Sequence, residues 1–115
     1  MSDIVNLDEA RKEREGLLTP PPPEALSFVS KRSDDRGGFN YWDVEPTGLY
    51  ANDCATGTAL AVEYLAFIGA HPTNGNATLL TFIVRDMVEQ KVWSGVHAGF
   101  LACINRVTMA AAVGR

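Results

Sequence analysis

The sequence predicts an all-α protein: a three-helix bundle with a short aromatic extended segment, carried behind a flexible, proline-containing N-terminal arm. Apolar residues recur at helical spacing in three stretches between Tyr50 and Ala112, separated by Gly, Pro and Asn punctuation. Residues 1–36 hold 14 charged side chains and residues 37–115 only 10, which marks a boundary near Gly37-Gly38. The chain has 115 residues, of which 46% are apolar, enough for one small core. The expected organisation is a charged arm over residues 1–38 and a helical domain over residues 39–115.

The arm has little to bury. Asn6 or Asp8 would cap a short helix over Leu7 to Glu15, with Asp8 and Glu9 near its positive end. Such a helix is marginal in water by itself. Pro20 to Pro23 favour an extended polyproline segment, and Ser30 to Gly38 has loop composition.

Phe39 to Glu45, FNYWDVE, reads as extended. No convincing second strand is available, so this segment is expected to lie across the helices and cover one end of the core. Pro46 and Thr47 suit a helix entry. Tyr50, Cys54, Gly57, Ala61, Tyr64 and Ile68 then form one stripe, with small residues at its centre that let a second backbone approach. Gly69 and Pro72 end this helix. After the Asn74-Gly75 turn, a second helix opens at Asn76 or Thr78 and runs to about Gln90. Leu79, Leu80, Ile83, Val84 and Met87 lie inward, while Thr78, Arg85, Glu89 and also Phe82 lie on its polar side. Ser94 caps a third helix to about Ala112, with Val96, Phe100, Cys103, Ile104, Val107 and Ala111 on its apolar face.

Several chemistries are disfavoured. A net charge of -4 argues against a general nucleic-acid or membrane-surface binder. The third helix carries few cations for a recognition helix, so a DNA-binding regulator ranks last. Cys54 and Cys103 lie on apolar stripes and read as free structural thiols in a reducing compartment. His97 reads as a hydrogen-bonded core histidine and His71 as exposed. Two histidines without a third ligand give no metal site, and no cofactor fingerprint is present. The N-terminus MSDIVNLDEARKERE has no apolar core for a signal peptide, and the longest apolar run, Ala59 to Ala70, is interrupted by Glu63 and falls well short of the roughly 20 residues of a membrane span. A cytoplasmic setting is expected.

The candidate binding residues are Phe82, Phe39, Tyr41, Trp42 and Asp53; no catalytic residue is assigned. Phe82 is an aromatic on a polar helix face, and Phe39, Tyr41 and Trp42 would form either a core lid or a binding face. Asp53 falls on an apolar flank with Leu60, Tyr64 and Phe67 and needs a partner, for which Arg85, Arg106, the Trp42 indole or the aromatic segment's backbone are candidates. The preferred function is a non-enzymatic protein acting through a protein partner or as a homo-oligomer. The alternative is a small-molecule binder or enzyme with a pocket around Asp53, Tyr41, Trp42 and Tyr50.

NLDEARKERE with its polar, proline-containing arm, and the motif YWDVEPTGLYANDCATG continuing into AVEYLAFI, resemble short uncharacterised bacterial and phage-encoded proteins. The resemblance implies a bacterial or phage setting and brings no catalytic residues with it.

Overall fold

A computed structural model describes residues 21–33 and 37–114. The expected helix over Leu7 to Glu15 lies outside the described residues. The described chain is mostly helical: α1 spans Tyr50–Ala70, α2 Leu79–Glu89 and α3 Gly95–Val113. Short 3-10 turns cover Pro23–Ala25 and Asn76–Thr78.

The aromatic segment does find a strand partner. Strand β1 (Ser30–Lys31) pairs antiparallel with β2 (Phe39–Asn40), with Ser30 opposite Asn40 and Lys31 opposite Phe39. Two residues per strand are too few for a period-2 pattern to register. The packed core also reaches back past the composition boundary. Leu26, Phe28 and Val29 are buried together with Trp42, Ala61, Tyr64, Ile83, Met87 and Phe100. The charge shift at Gly37-Gly38 therefore marks the turn of this hairpin, and both of its strands belong to the packed body.

Helices α1 and α3 run side by side in the same direction. Gly95 sits against Tyr50, and Gly99 against Cys54 one turn further along both helices. The approach is close because the contact points have no side chain. A Cβ on Gly57 would collide with the Val96 carbonyl and lie 2.7 Å from the Phe100 nitrogen. A Cβ on Gly99 would collide with the Cys54 carbonyl in the same way. The small centre of the first helical stripe thus has the packing role its composition implied. Because the two helices are parallel, the segment between them must carry the chain back, and α2 lies on that return.

The inner faces follow the sequence pattern in part. Leu79, Ile83 and Met87 are buried on α2, and Val96, Phe100 and Cys103 on α3. Three expected core positions are instead exposed: Tyr50, Val107 and Ala111. Tyr50 is at the first turn of α1, beyond the end of the core. Val107 and Ala111 lie in the last two and a half turns of α3, where every residue from Asn105 to Gly114 is exposed.

Helix entries differ in how they are capped. The Ser94 side chain accepts the Val96 amide at 3.2 Å, and His97 Nδ1 accepts the Ser94 amide at 3.1 Å, a capping box with histidine in the acceptor role. At α1 the N-cap is Leu49, whose side chain offers no cap. Thr47, the expected cap, instead donates to Asp53.

Candidate functional site

The hairpin sets an aromatic ladder on the outer edge of α2. Alternation along β2 and the residues after it turns Tyr41 outward and Trp42 inward. Phe39 meets Tyr41 edge-on with ring centroids 5.9 Å apart, and Tyr41 stacks on Phe82 at 5.3 Å with 24° between the planes. One turn along α2 from Phe82, the Arg85 guanidinium lies 5.1 Å from the Phe82 ring and 5.9 Å from Tyr41. These groups line a shallow cleft of about 310 Å³, with Arg32 and Glu89 at its rim. Phe82 is 37% exposed, its covered face resting on Tyr41.

Asp86 holds this arrangement together. Its carboxylate is buried, 2% exposed, and accepts the Tyr41 backbone amide at 2.8 Å. It also accepts Arg85 Nε at 3.0 Å and lies 3.6 Å from the Arg32 guanidinium. The neighbouring Asp86 carboxylate, hydrogen-bonded to Arg85, raises the arginine's pKa further above its ordinary value. The result is a fixed cation over two aromatic rings. Sequence reasoning missed Asp86 because α2 looks polar at that position. Its only signal was a carboxylate next to Met87 on the apolar flank.

The five candidate binding residues do not form one site. Phe39, Tyr41 and Phe82 come together. Trp42 goes to the core: it is fully buried, with its ring 5.6 Å from Phe28, 5.0 Å from Phe100 and 5.3 Å from His97. Gln90 donates to the Trp42 carbonyl, tying the inward residue to the end of α2.

Asp53 is buried at the start of α1, but none of its anticipated partners reaches it. It accepts the Thr47 hydroxyl at 2.7 Å, the Thr47 amide at 3.0 Å and the Gly48 amide at 3.1 Å. The Thr47 hydroxyl, then the backbone amides, hold this carboxyl below its ordinary pKa despite an opposing effect of burial. Asp53 is therefore a structural clasp for the turn entering α1. Tyr50 does not complete a pocket with it. Its hydroxyl interacts with the Cys54 side chain, which raises the phenol's pKa.

The remaining groups are structural in placement. Cys54 and Cys103 are free thiols, half-buried and buried. His97 is buried between Trp42 and Trp93, and that burial lowers its pKa. His71, expected to be exposed, is half-buried against Phe67 because it closes the C-terminal end of α1. A second cleft of about 620 Å³ lies beside the hairpin, where Lys31 and Arg32 face Asp43, Asp86 and Glu89. Within it Arg32 lies 3.6 Å from both Asp86 and Glu89. Among the described residues, no group of three His, Cys, Asp or Glu side chains is placed to hold a metal ion.

Comparison with protein-family models, curated proteins and solved structures gave no match, so the functional reading rests on the geometry of the site.

Proposed function

We propose that the protein is a small non-enzymatic interaction factor in a bacterial or phage-infected cytoplasm. Its three helices act as one bundle, and its contact face is the ladder Phe39–Tyr41–Phe82 with Arg85. The observation that carries this reading is the stack of Phe82 on Tyr41 with a guanidinium against both rings, left open at the surface. Aromatic and arginine side chains are the types that dominate binding energy at protein interfaces. These are pre-positioned by the Asp86 bonds, so little side-chain entropy remains to be lost on docking. The pocket alternative around Asp53 loses support because its carboxylate is occupied by Thr47 and Gly48.

The test is capture of partners from the native host by the tagged chain, run beside Phe82→Asp, Arg85→Glu and a control, Val88→Asp, on another exposed part of α2. The reading predicts a protein retained by the parent and the control and lost from both ladder variants, with circular dichroism unchanged. Retention of the same protein by all four chains would place the contact elsewhere.

A further inference from the structure

His97 sits where the aromatic segment, the α2–α3 linker and the start of α3 meet. Its ring lies between two indoles, with centroids 5.3 Å from the buried Trp42 and 5.1 Å from Trp93, which stacks on it at 30°. Trp93 is itself exposed and belongs to the linker, residues 90–94. That linker leaves α2 through Lys91, whose φ of 58° lies in the left-handed region that a side chain disfavours. His97 holds the far end of this linker twice, through the Trp93 stack and through the capping box with Ser94.

The capping box works only with a neutral imidazole. Nδ1 accepts the Ser94 amide at 3.1 Å, so the ring's proton is on Nε2. That Nε2–H is buried with no acceptor among the described residues. A second proton goes to Nδ1. The Ser94 hydroxyl, 2.9 Å away, can reverse its role and accept it. The Ser94 amide cannot reverse, and is left donor against donor. The first turn of α3, at the positive end of the helix dipole, also disfavours a cation. The indole faces attract one, but they return no acceptor to the amide.

We propose that His97 is an acid-sensitive latch: neutral, it pins the α2–α3 linker to the first turn of α3, and protonated, it lets the linker go while the rest of the bundle stays folded. Release frees Ser94 and Trp93 and lets Lys91 leave the left-handed region. The surrounding charges do not hold the latch. From α1 the titratable groups at this end are Tyr50, Asp53 and Cys54, and the Asp53 carboxylate is taken by Thr47 and Gly48. The segment carrying Trp42 supplies Asp43, and the end of α2 supplies Glu89 and Lys91. On α3 the nearest charge is Arg106, more than two turns further on. None of these is hydrogen-bonded to the imidazole, whose partner is Ser94, and burial by itself lowers its pKa. The latch does not depend on what the aromatic ladder binds.

Amide hydrogen exchange of the full chain, read by nuclear magnetic resonance, tests it between about pH 7.5 and pH 5. The Ser94, Val96 and Ala98 amides are all bonded in the closed cap. After correction for the intrinsic pH dependence of exchange, their protection should fall about tenfold per pH unit below about pH 6.5, because the opened His97 binds a proton that the closed one does not. The loss should be insensitive to low urea, since a local opening exposes little surface, whereas exchange at Ala61 in the α1–α3 contact should accelerate with urea. His97→Gln keeps an acceptor and does not titrate, so in that chain the three amides should hold their protection. Should this variant fail to fold, the urea dependence of the parent decides alone. Cap amides that stay protected down to pH 5 would overturn the proposal, because the cation would then be held between the indoles. A loss as steep in urea as that of Ala61 would overturn it in favour of global unfolding, and an equal loss in His97→Gln would assign it to another group.

Discussion

The Tyr41 amide donates to the Asp86 carboxylate at 2.8 Å across 45 residues of sequence, and this bond ties the hairpin to α2. The carboxylate is buried and is also held by Arg85 and Arg32. Replacing it with alanine leaves the buried Tyr41 amide without its acceptor and takes a carboxylate from Arg85 and Arg32, of which Arg32 keeps the Phe39 carbonyl and Glu89. Asp86→Ala is expected to cost about 2–3 kcal/mol, the upper part of the range for leaving a buried donor unsatisfied, because the exposed Arg85 can turn to solvent. Asp86→Asn keeps an acceptor for the amide and should cost about 1–2 kcal/mol. Urea unfolding of the two variants checks the order. Equal losses would mean that charge, and not the tie to Tyr41, dominates.

The contact between α1 and α3 makes the opposite demand, for absence of a side chain. On propensity alone, Gly57→Ala would stabilise α1 by up to about 1 kcal/mol. The added methyl would meet the Val96 carbonyl and the Phe100 nitrogen, both backbone atoms that cannot turn aside. The net expectation is a loss of about 1–3 kcal/mol, the usual cost of overpacking. Gly69→Ala, with nothing within 4 Å of its added Cβ, should be neutral or slightly stabilising. Thermal melts of the two variants shifting in opposite directions would establish the close approach, and shifts in the same direction would refute it.

These two sites show where the sequence is legible. The three helices are visible because each presents enough turns for a period to emerge, and Ser94 marks the start of α3 directly. Gly57 is visible as a packing residue because a glycine at the centre of an apolar stripe has no other use there. Its partner is not visible, since nothing in one helix's pattern states that α1 and α3 run parallel. The hairpin is hidden for a different reason: Ser30–Lys31 is too short to show alternation and is surrounded by charge. Phe28 and Asp86 are hidden with it, because a short apolar run between a proline segment and a charged loop, and a lone acid on a helix, acquire meaning only after the strands pair. Within the candidate site, Phe82 was legible as an aromatic out of place. The bond that positions its neighbour was not.

His97 carries a pH dependence whose sign follows from its position. Burial lowers its folded pKa, so below the ordinary histidine value of about 6.5 the unfolded chain binds more protons than the folded one. The stability it contributes is complete above that pH and is lost as pH falls towards the folded pKa. Protonation also places a second N–H on Nδ1, facing the Ser94 amide it now accepts. Between about pH 7 and pH 5, the urea midpoint of the parent should fall. His97→Gln keeps an acceptor at the third position of a capping box and does not titrate, so its midpoint should be flatter across this interval. A parallel decline in both chains would assign the effect to carboxylates elsewhere.

Trp42 sets two costs against each other. Its indole fills the centre of the aromatic cluster, with Phe100 5.0 Å and Phe28 5.6 Å away, yet its Nε1–H is buried with no acceptor among the described residues. Trp42→Ala removes the filling and should cost about 3–5 kcal/mol. Trp42→Phe leaves a smaller gap and also removes a donor whose burial without a partner costs about 1–3 kcal/mol, so the net loss should be near 1 kcal/mol. Fluorescence provides an independent check, because Trp93, at 66% exposed, is the only other tryptophan. In Trp42→Phe the emission that remains should be red-shifted and fully accessible to iodide, with the blue, protected component gone. A protected component that survives in this variant would mean that Trp93 is covered in solution and that Trp42 is not the buried ring. Equal destabilisation by Phe and Ala would mean that the indole N–H has a partner after all.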